Sequence, residues 1–455
     1  MPSRPSVADP PLSIARPDLP VGVAPPGIRS PVALPRTRAE VERSRWLATF
    51  CVSYAFIMLV FLNYAAVLPL VQKEWRLSGA AAGSIFSAHQ LGYVASGVLL
   101  TFLTDRYNAR AIFIMSAFWS AAANVLFALF ATDLTSALVL RAVAGLGMGG
   151  TYMPGLKLVA ERFPSESRGR AVGFYTSAFV FGAALSTLLS GLVASVGGWR
   201  LAILTTACGA LLGSILSLVA LADLPAITIP ATPRRLASEV LRNRPAFLLI
   251  VAYAGHMWEQ YGMRGWMVAF LSANLLRRGA DPAEAVGLAA TLTAVIVATG
   301  GIGTGLAGIA SDRFGRTASI SSIMVGSACC SLTFGWLFGA PLGLIVAVGL
   351  CYSFLVVAES PILSTGLSEL VAPRYLGAAM GVQTLFGFLA ASASPAAFGY
   401  VLDLTNPSPA GRAGAAPAVW GWAFTALAAG ALVGVLAMAA LRRYPDSVKM
   451  AGGRR

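Results

Sequence analysis

Residues 317–358 read TASISSIMVGSACCSLTFGWLFGAPLGLIVAVGLCYSFLVVA, a run of 42 residues without a single charged side chain. A helix crosses a hydrocarbon core of about 30 Å with roughly 20 residues, so this run is too long for one crossing. The cluster Gly339-Ala340-Pro341-Leu342-Gly343 inside it combines the two residue types that most often interrupt regular structure. The run therefore predicts two membrane-spanning helices joined by a tight turn.

Similar stretches follow one another along most of the 455-residue chain. Only 11% of the residues are charged, against about a quarter in a soluble domain, and 57% are hydrophobic. The sequence therefore predicts an all-α polytopic membrane protein with twelve spans and excludes a soluble globular protein. In chain order, spans 1 to 12 are predicted at 47–70, 79–102, 111–131, 135–160, 171–195, 201–221, 246–271, 285–310, 317–338, 342–366, 375–401 and 416–441.

The regions between the spans predict the domain organisation. Residues 1–46 contain ten of the 26 prolines and no apolar run, which indicates a disordered tail. Residues 222–245 carry four arginines and separate six spans from six, which is typical of a linker. The predicted units are the tail at 1–46, a six-helix half at 47–221, the linker at 222–245, a second half at 246–441 and a second tail at 442–455.

The net charge of +14 has a topological explanation. If both termini lie on one side, that side carries 24 of the 33 Lys and Arg residues, the other side six and the spans three. By the positive-inside rule, both termini are then cytoplasmic, in a multi-pass protein of the cell membrane, which in a bacterium is the inner membrane. The basic charge therefore does not indicate a nucleic-acid partner.

The two halves repeat one another at a nearly constant offset. Asp105-Arg106 matches Asp312-Arg313 at an offset of 207, and Pro154 in span 4 matches Pro361 in span 10 at the same offset. Parallel six-helix repeats place a transport site at their interface, near the middle of the bilayer.

The loops between the spans carry motifs that resemble those of the major facilitator superfamily. Residues 308–316 read GIASDRFGR, like the signature loop of that family, and residues 101–110 read TFLTDRYNAR, a looser copy. The resemblance covers about residues 46–441 and implies a carrier with a cavity lined mainly by spans 1, 4, 7 and 10. It also implies that Asp105 caps the start of span 11 and keeps the cytoplasmic side closed. The gating-loop residues that it implies are Asp105, Arg106, Arg110, Asp312, Arg313 and Arg316.

Two acids lie well inside spans, where a charge costs on the order of 2.5–3.5 kcal/mol even on lenient scales. Glu259 of span 7 shares a helix face with His256 and Gln260, at spacings of i, i+3 and i+4. A carboxylate beside an imidazole in low-dielectric surroundings suits proton binding and release near neutrality. The alternative is a polar pair that packs the helices together.

Glu359 of span 10 stands two residues before Pro361, as Tyr152 of span 4 stands two residues before Pro154. Matching proline-interrupted segments in the two halves of a transporter often mark the transport site. We therefore expect Glu359 and Tyr152 near the cavity, with a buried structural ion pair as the alternative for Glu359.

Arg141, about six residues inside span 4, predicts an anchor for an anionic substrate or a partner for a carboxylate. The alternative is that its guanidinium reaches outward to the membrane surface; the same alternative applies to Arg264 of span 7. Asn63 and Tyr64 of span 1 are predicted to be hydrogen-bonding residues of the cavity, and His89 of span 2 is treated as a packing residue.

The sequence contains no phosphate-binding Gly-x-x-x-x-Gly-Lys-Ser/Thr loop and no metal-ligand pattern, so no cofactor and no enzymatic activity are predicted. It predicts a monomeric secondary active transporter of a small solute, with the proton as coupling ion. Arg141 favours an organic or inorganic anion, and within the superfamily the chain loosely resembles nitrate, cyanate and organic-anion porters. The alternatives are a drug or metabolite efflux antiporter of the same fold and a membrane sensor that transports nothing.

Overall fold

The computed structural model describes residues 38–103, 108–223, 240–372, 375–407 and 417–453. Within these ranges the chain is helical and has no strands. The α-helices are Arg38–Ile57, Asn63–Glu74, Gly79–Leu103, Ala109–Phe130, Leu134–Met148, Tyr152–Arg162, Ser165–Ala220, Arg244–Arg277, Pro282–Phe314, Arg316–Phe334, Leu342–Leu370, Leu376–Thr405 and Gly421–Leu441.

Nine helical stretches of the described chain are long and apolar enough to cross a membrane. One of them, Ser167–Ala220, has 54 residues, more than twice the length of one crossing. It contains Gly198, whose φ of 75° lies in the left-handed region that only glycine adopts freely, and there the helix is interrupted. This stretch therefore holds spans 5 and 6. The helices Gly79–Leu103 and Arg244–Arg277 supply spans 2 and 7, and the predicted twelve-span fold is confirmed.

The turn of residues 339–343 also lies where the sequence predicts it. Span 9 ends at Leu337 after a short 3-10 turn, and Pro341 immediately precedes the helix of span 10. Gly339 has a φ of 88°, and its N–H donates a 2.8 Å hydrogen bond to Asn274 of span 7. The uncharged run thus forms two helices, as expected.

Spans 1 and 4 are each interrupted near their middle. Span 1 leaves the α-helix between Ile57 and Asn63, where the Ser186 hydroxyl hydrogen-bonds to the Leu59 carbonyl and accepts from the Leu62 N–H at 3.2 Å. This contact from span 5 satisfies backbone groups that the interruption frees.

The matched proline interruptions expected in spans 4 and 10 do not occur. Span 4 breaks at residues 149–151, and Pro154 lies in the first turn of the next helix, where its missing N–H is not needed. A Cβ atom on Gly149 would lie 2.6 Å from the Tyr93 carbonyl oxygen, so the break coincides with a close approach to span 2. Span 10 continues as one helix, Leu342–Leu370, through Pro361.

The first helix begins at Arg38, earlier than the end of the tail predicted at residue 46. Residues 38–46 read RAEVERSRW, without proline and with acids and bases close enough to pair along a helix. Residues 1–37 and most of the predicted linker lie outside the described chain. The domain boundaries stay a prediction. The C-terminal residues Pro445–Gly453 form a 3-10 segment in which Met450 is buried.

We call the end of the bundle where span 1 begins and span 12 ends the terminal side, and the opposite end the far side. At the far side, span 2 of one half packs closely against span 11 of the other. A Cβ atom on Gly83 would lie 2.1 Å from the Pro395 carbonyl oxygen. Asp403 of span 11 accepts hydrogen bonds from the N–H groups of Gly79 and Ala80, at 2.6 and 2.8 Å, and so caps the first turn of span 2.

Spans 5 and 8 make a second far-side contact between the halves, where Gly191 and Gly287 lie against Ala290 and Ser195. Toward the terminal side, nothing in the described chain lies within 4 Å of a Cβ atom placed on Gly305 of span 8. The same holds for the corresponding glycines of span 11, Gly377 and Gly381. The described contacts across these two helix pairs are therefore tightest at the far side.

Candidate functional site

Spans 7, 9 and 10 bring both intramembrane glutamates into one hydrogen-bonded group. Span 7 starts at an Asn243 cap with Pro245 in its first turn, and places His256 and Glu259 one turn apart. Every member of the group has an exposed fraction of 0%. We call this group the glutamate cluster; it consists of His256, Glu259, Ser327, Ser331, Tyr352 and Glu359.

Ser327 of span 9 connects the two carboxyl groups. Its Oγ lies 3.0 Å from Glu259 Oε2 and 3.0 Å from Glu359 Oε1. Ser331, one turn further along span 9, donates to Glu259 Oε1 at 2.5 Å and contacts the Tyr352 hydroxyl. The cluster is thus a continuous polar chain through the buried interior of one half.

His256 lies beside Glu359, and its Nδ1 is 3.1 Å from Glu359 Oε2. The i, i+3 spacing predicts Glu259 as the partner of this imidazole instead. In the structure the two side chains diverge, because Glu259 reaches the serines of span 9 while His256 faces span 10. Gln260 is buried next to Glu259 in the helix but is not a member of the cluster.

The glutamates have no Lys or Arg within ion-pair distance in the described part of the chain. The buried ion-pair contact of Glu359 is with His256, and it is an ion pair only when that ring is protonated. Nor do the described residues contain a group of three His, Cys, Asp or Glu side chains placed to hold a metal ion. Carboxyl and imidazole groups, which the cluster contains, are side chains that can bind and release protons.

Arg141 of span 4 is a buried charged residue of the other half. Its exposed fraction is 0%, so the side chain does not reach the membrane surface. One guanidinium nitrogen donates to Asn63 Oδ1 at 3.2 Å and to Asn124 Oδ1 at 3.1 Å. The guanidinium carbon lies 5.6 Å from the ring centroids of both Tyr64 and Phe127, within range of a cation–π interaction.

The interruption of span 1 positions these partners of Arg141. Asn63 is the first residue of the helix that follows the break, and its amide also donates to Asn124 Oδ1 and to Thr206 Oγ1. The Tyr64 hydroxyl donates to the Ala82 carbonyl at 3.0 Å. Asn63 and Tyr64, both predicted cavity residues, therefore contact Arg141 directly.

Several buried polar groups in this central region have no hydrogen-bond partner among the described residues. They include Arg141 Nε and Nη2, both ring nitrogens of His89, both amide atoms of Gln90, and Arg264 Nε. Buried polar groups are nearly always hydrogen-bonded, so such a concentration of unpaired ones is unusual. His89, treated above as a packing residue, lies within range of the Arg141 charge.

Aromatic rings connect this region across the two halves. Phe61, in the interruption of span 1, contacts the His89 ring on one side and the Tyr261 ring of span 7 on the other, each at 6.3 Å. Arg264 lies 6.0 Å from the Tyr261 ring and is only 4% exposed, so it does not snorkel. Each half therefore contributes a buried guanidinium group that lies near aromatic rings.

Tyr152 does not join either group of polar residues. Its ring packs against Tyr175 and Phe179 of span 5, at 6.3 and 5.8 Å. The match with Glu359 in the repeat therefore does not make the two side chains partners in the glutamate cluster.

Of the two gating loops, the structure describes residues 308–316 fully and residues 101–110 only in part. Asp105 and Arg106 lie outside the described residues, and Arg110 donates to the Ala222 carbonyl at 2.8 Å. In the second loop, Arg316 pairs with Asp312 at 2.5 Å and with Glu369 at 3.0 Å. Arg313 lies over the adjacent Phe314 ring instead.

Asn124, Ser327 and Ser331 are functional-site residues that were not predicted from the sequence. The two serines are spaced i, i+4 inside an uncharged span, which places them on one helix face. That spacing was a usable signal, but serine is too common in membrane helices to stand out without its partners.

Comparison with known proteins agrees with this architecture. The profile described as Major Facilitator Superfamily matches residues 46–395. The chain is 24% identical to the probable sulfoacetate transporter SauU of Cupriavidus necator, over 79% of this chain and 87% of the relative. It is 25% identical to the cis,cis-muconate transport protein of Acinetobacter baylyi, over 78% and 91% of the two chains.

Among solved structures, a bacterial homologue of the human lysosomal transporter Spinster superposes with a TM-score of 0.69. The superposition covers 91% of this chain and 98% of the other, at 17% sequence identity. At that identity the likeness concerns the fold alone.

Proposed function

The chain belongs to the major facilitator superfamily and is a multi-pass membrane transporter rather than an enzyme, and from that premise we propose that it carries a small organic anion by proton-coupled alternating access. We propose that it acts as a monomer with both termini in the cytoplasm. The anion is proposed to bind between the halves, beside Arg141.

The burial of Arg141 without a carboxylate partner in the described part of the chain is the observation that carries the proposal. Moving a cation out of water is expensive unless an opposite charge compensates it. Here the described partners, Asn63, Asn124 and two aromatic rings, are all neutral. Two of the three guanidinium nitrogens have no hydrogen-bond partner among the residues that the structure describes. A planar guanidinium with free N–H groups suits a carboxylate or sulfonate.

Arg264 and the relatives support the same substrate class. Arg264 adds a second buried cation from the other half, which suits an anion held by both halves at once. Two relatives that align over most of their length are named for the transport of sulfoacetate and cis,cis-muconate, both small organic anions.

Binding can be tested on the purified protein by thermal unfolding in the presence of cis,cis-muconate or sulfoacetate. A ligand that binds only the folded state stabilises it, by about 2.7 kcal/mol at one hundred times its dissociation constant. We expect the melting temperature to rise by a few degrees with the anions and to stay constant with the neutral dimethyl ester of muconate. Stabilisation by neutral or cationic drugs alone would contradict the anion assignment and favour the efflux alternative.

The described contacts between the halves suit a state closed at the far side. With the termini in the cytoplasm, this state opens inward, and transport requires the far-side contacts of spans 2 and 11 to separate. Asp403 then acts as a latch, because it caps a helix that belongs to the opposite half.

Replacing Asp403 with asparagine is expected to weaken this latch. The amide nitrogen cannot accept a hydrogen bond, so one of the two N–H contacts is lost together with the charge at the helix N-terminus. Spin labels at Val196 and Glu284, on exposed far-side ends of spans 5 and 8, should then report a larger share of long distances in a cysteine-free background.

Asp281→Asn is the matched control. Asp281 also caps a far-side helix, but it accepts from Ala283 of its own span 8. Its replacement should leave the label distances unchanged. Equal effects of the two substitutions, or none from Asp403→Asn, would refute the latch.

A further inference from the structure

The proposed proton coupling needs a place where a proton binds, and Ser327 indicates how that place is built. We propose that Glu259 and Glu359 form a single proton-binding site, in which the Ser327 hydroxyl lets the two carboxyl groups share one proton. This inference rests on the proposed function and adds Ser327 as a positioning residue.

The count of hydrogen atoms around Ser327 carries the proposal. Three oxygens lie within hydrogen-bond distance of its Oγ: Glu259 Oε2 and Glu359 Oε1 at 3.0 Å, and the Met324 carbonyl at 3.1 Å. A serine hydroxyl has one hydrogen and two lone pairs. With both carboxyl groups ionised, at least one carboxylate oxygen would face the serine oxygen with no hydrogen between them.

A single shared proton removes this conflict. The protonated carboxyl donates to Ser327 Oγ, and Ser327 donates to the other carboxylate, so both 3.0 Å contacts become hydrogen bonds. A second proton is disfavoured by the donors at the outer oxygens: Ser331 at Glu259, and at Glu359 the His256 ring in the tautomer that carries its hydrogen on Nδ1. Such donors stabilise an ionised carboxylate.

The other titratable groups around the pair do not supply a permanent counter-charge. Span 7 contributes His256 and, further along, Arg264, whose charge acts on that imidazole. Span 9 contributes Cys330 and span 10 Tyr352, both neutral in their ordinary forms near pH 7. Spans 8, 11 and 12 carry charged side chains only at their ends or not at all. The proton itself is therefore what keeps the pair from carrying two negative charges.

The two carboxyl groups depend on each other for the proton. If Glu359 is replaced by glutamine, Glu259 keeps Ser327 and Ser331 as donors and no longer faces a like charge. If Glu259 is replaced instead, Glu359 keeps Ser327 and His256. Each glutamate alone is then satisfied as a carboxylate, so we expect either substitution to release the shared proton.

Infrared spectroscopy of the purified full chain in lipid tests this directly, through the C=O stretch of protonated carboxyl groups. The native protein should show a band equal to one carboxyl at neutral pH, and Glu259→Gln and Glu359→Gln should each abolish all of it. Glu284→Gln, at an exposed acid on the far side of span 8, should leave the band unchanged. If each cluster variant removed half of a two-carboxyl band, or if neither changed the spectrum, the shared proton would be refuted.

Ser327 variants separate the role of the hydroxyl from that of the acids. Ser327→Ala removes two hydrogen bonds from the singly protonated pair but only one from the doubly ionised pair, so the band should titrate about one pH unit lower than in the native protein. Ser327→Thr keeps the hydroxyl and should restore the native titration midpoint. Equal midpoints in all three proteins would overturn the role of Ser327, and gel filtration would verify that each variant is folded.

This experiment can fail independently of the proposed function, since it needs no substrate. A shared proton without any anion binding would support the shared-proton site and refute the proposal that the substrate is an anion. Anion binding without a shared proton would support the proposed substrate class and refute the shared-proton site.

Discussion

Arg141→Gln is expected to abolish anion uptake and anion binding while the protein remains folded and at least as stable as the native chain. Without the guanidinium, a buried anion has no opposite charge at the proposed site, a loss typically worth 3–5 kcal/mol. This corresponds to a loss of at least about a hundredfold in affinity. Uptake of cis,cis-muconate into proteoliposomes and its effect on the melting temperature would measure both quantities.

The stability measurement distinguishes an anchor from a structural arginine. A buried cation with only neutral partners destabilises the substrate-free fold, so its removal should leave the melting temperature constant or raise it. If Arg141 instead held spans 1, 3 and 4 together through Asn63 and Asn124, the glutamine variant would melt several degrees lower.

Arg141→Lys and Arg200→Gln complete the comparison. Lysine keeps the charge but loses the planar pair of N–H donors, so we expect weakened but measurable uptake. Arg200 binds the carbonyls of Ala128 and Ala131 at the far-side end of span 6, and its replacement should not alter anion affinity. Native uptake by Arg141→Gln would refute the proposed site.

Glu259→Gln is expected to abolish accumulation driven by a pH gradient and to spare exchange of the anion. Glutamine cannot take up and release a proton, and without Glu259 the remaining carboxyl of the pair loses the neighbour with which it shares the proton. The proposed anion site beside Arg141 does not include Glu259, so anion binding should persist. Proteoliposomes loaded with unlabelled anion measure exchange, and the same vesicles under a pH gradient measure accumulation.

The pH dependence of exchange provides a second measure of the same variant. Exchange by the native protein should vary with pH as the glutamate pair gains and loses its proton, whereas exchange by Glu259→Gln should be flat. Glu284→Gln should behave as the native protein does. Unchanged accumulation by Glu259→Gln would refute the coupling assignment, and loss of both activities would indicate a structural role for Glu259.

Much of the fold is predictable because membrane spans are local features. The uncharged run at 317–358 had to form two helices, and the chain turns where its glycines and proline indicate. The interruptions were harder to locate. Pro154 and Pro361 suggested breaks, but the first fits within a helix's opening turn and the second within a continuous helix. The breaks in spans 1 and 4 coincide instead with contacts with spans 5 and 2.

The sequence predicted which charged residues belong to the candidate site, but not which residues they contact. Glu259, Glu359 and Arg141 attracted attention because charged residues are expensive inside a membrane. The sequence offered His256 as the partner of Glu259, since the two share a helix face. The structure shows that each glutamate reaches Ser327, a residue without any charge to mark it.

The sequence by itself therefore determined the twelve spans, the repeat and the family, because a helix in lipid must satisfy its own backbone hydrogen bonds and bury a continuous apolar length. Tertiary structure alone decided which buried polar groups meet. Glu259 and Ser327 are 68 residues apart in the chain, and His256 and Glu359 are 103 apart. Whether such pairs touch depends on how the helices pack and rotate against one another, which no local pattern specifies.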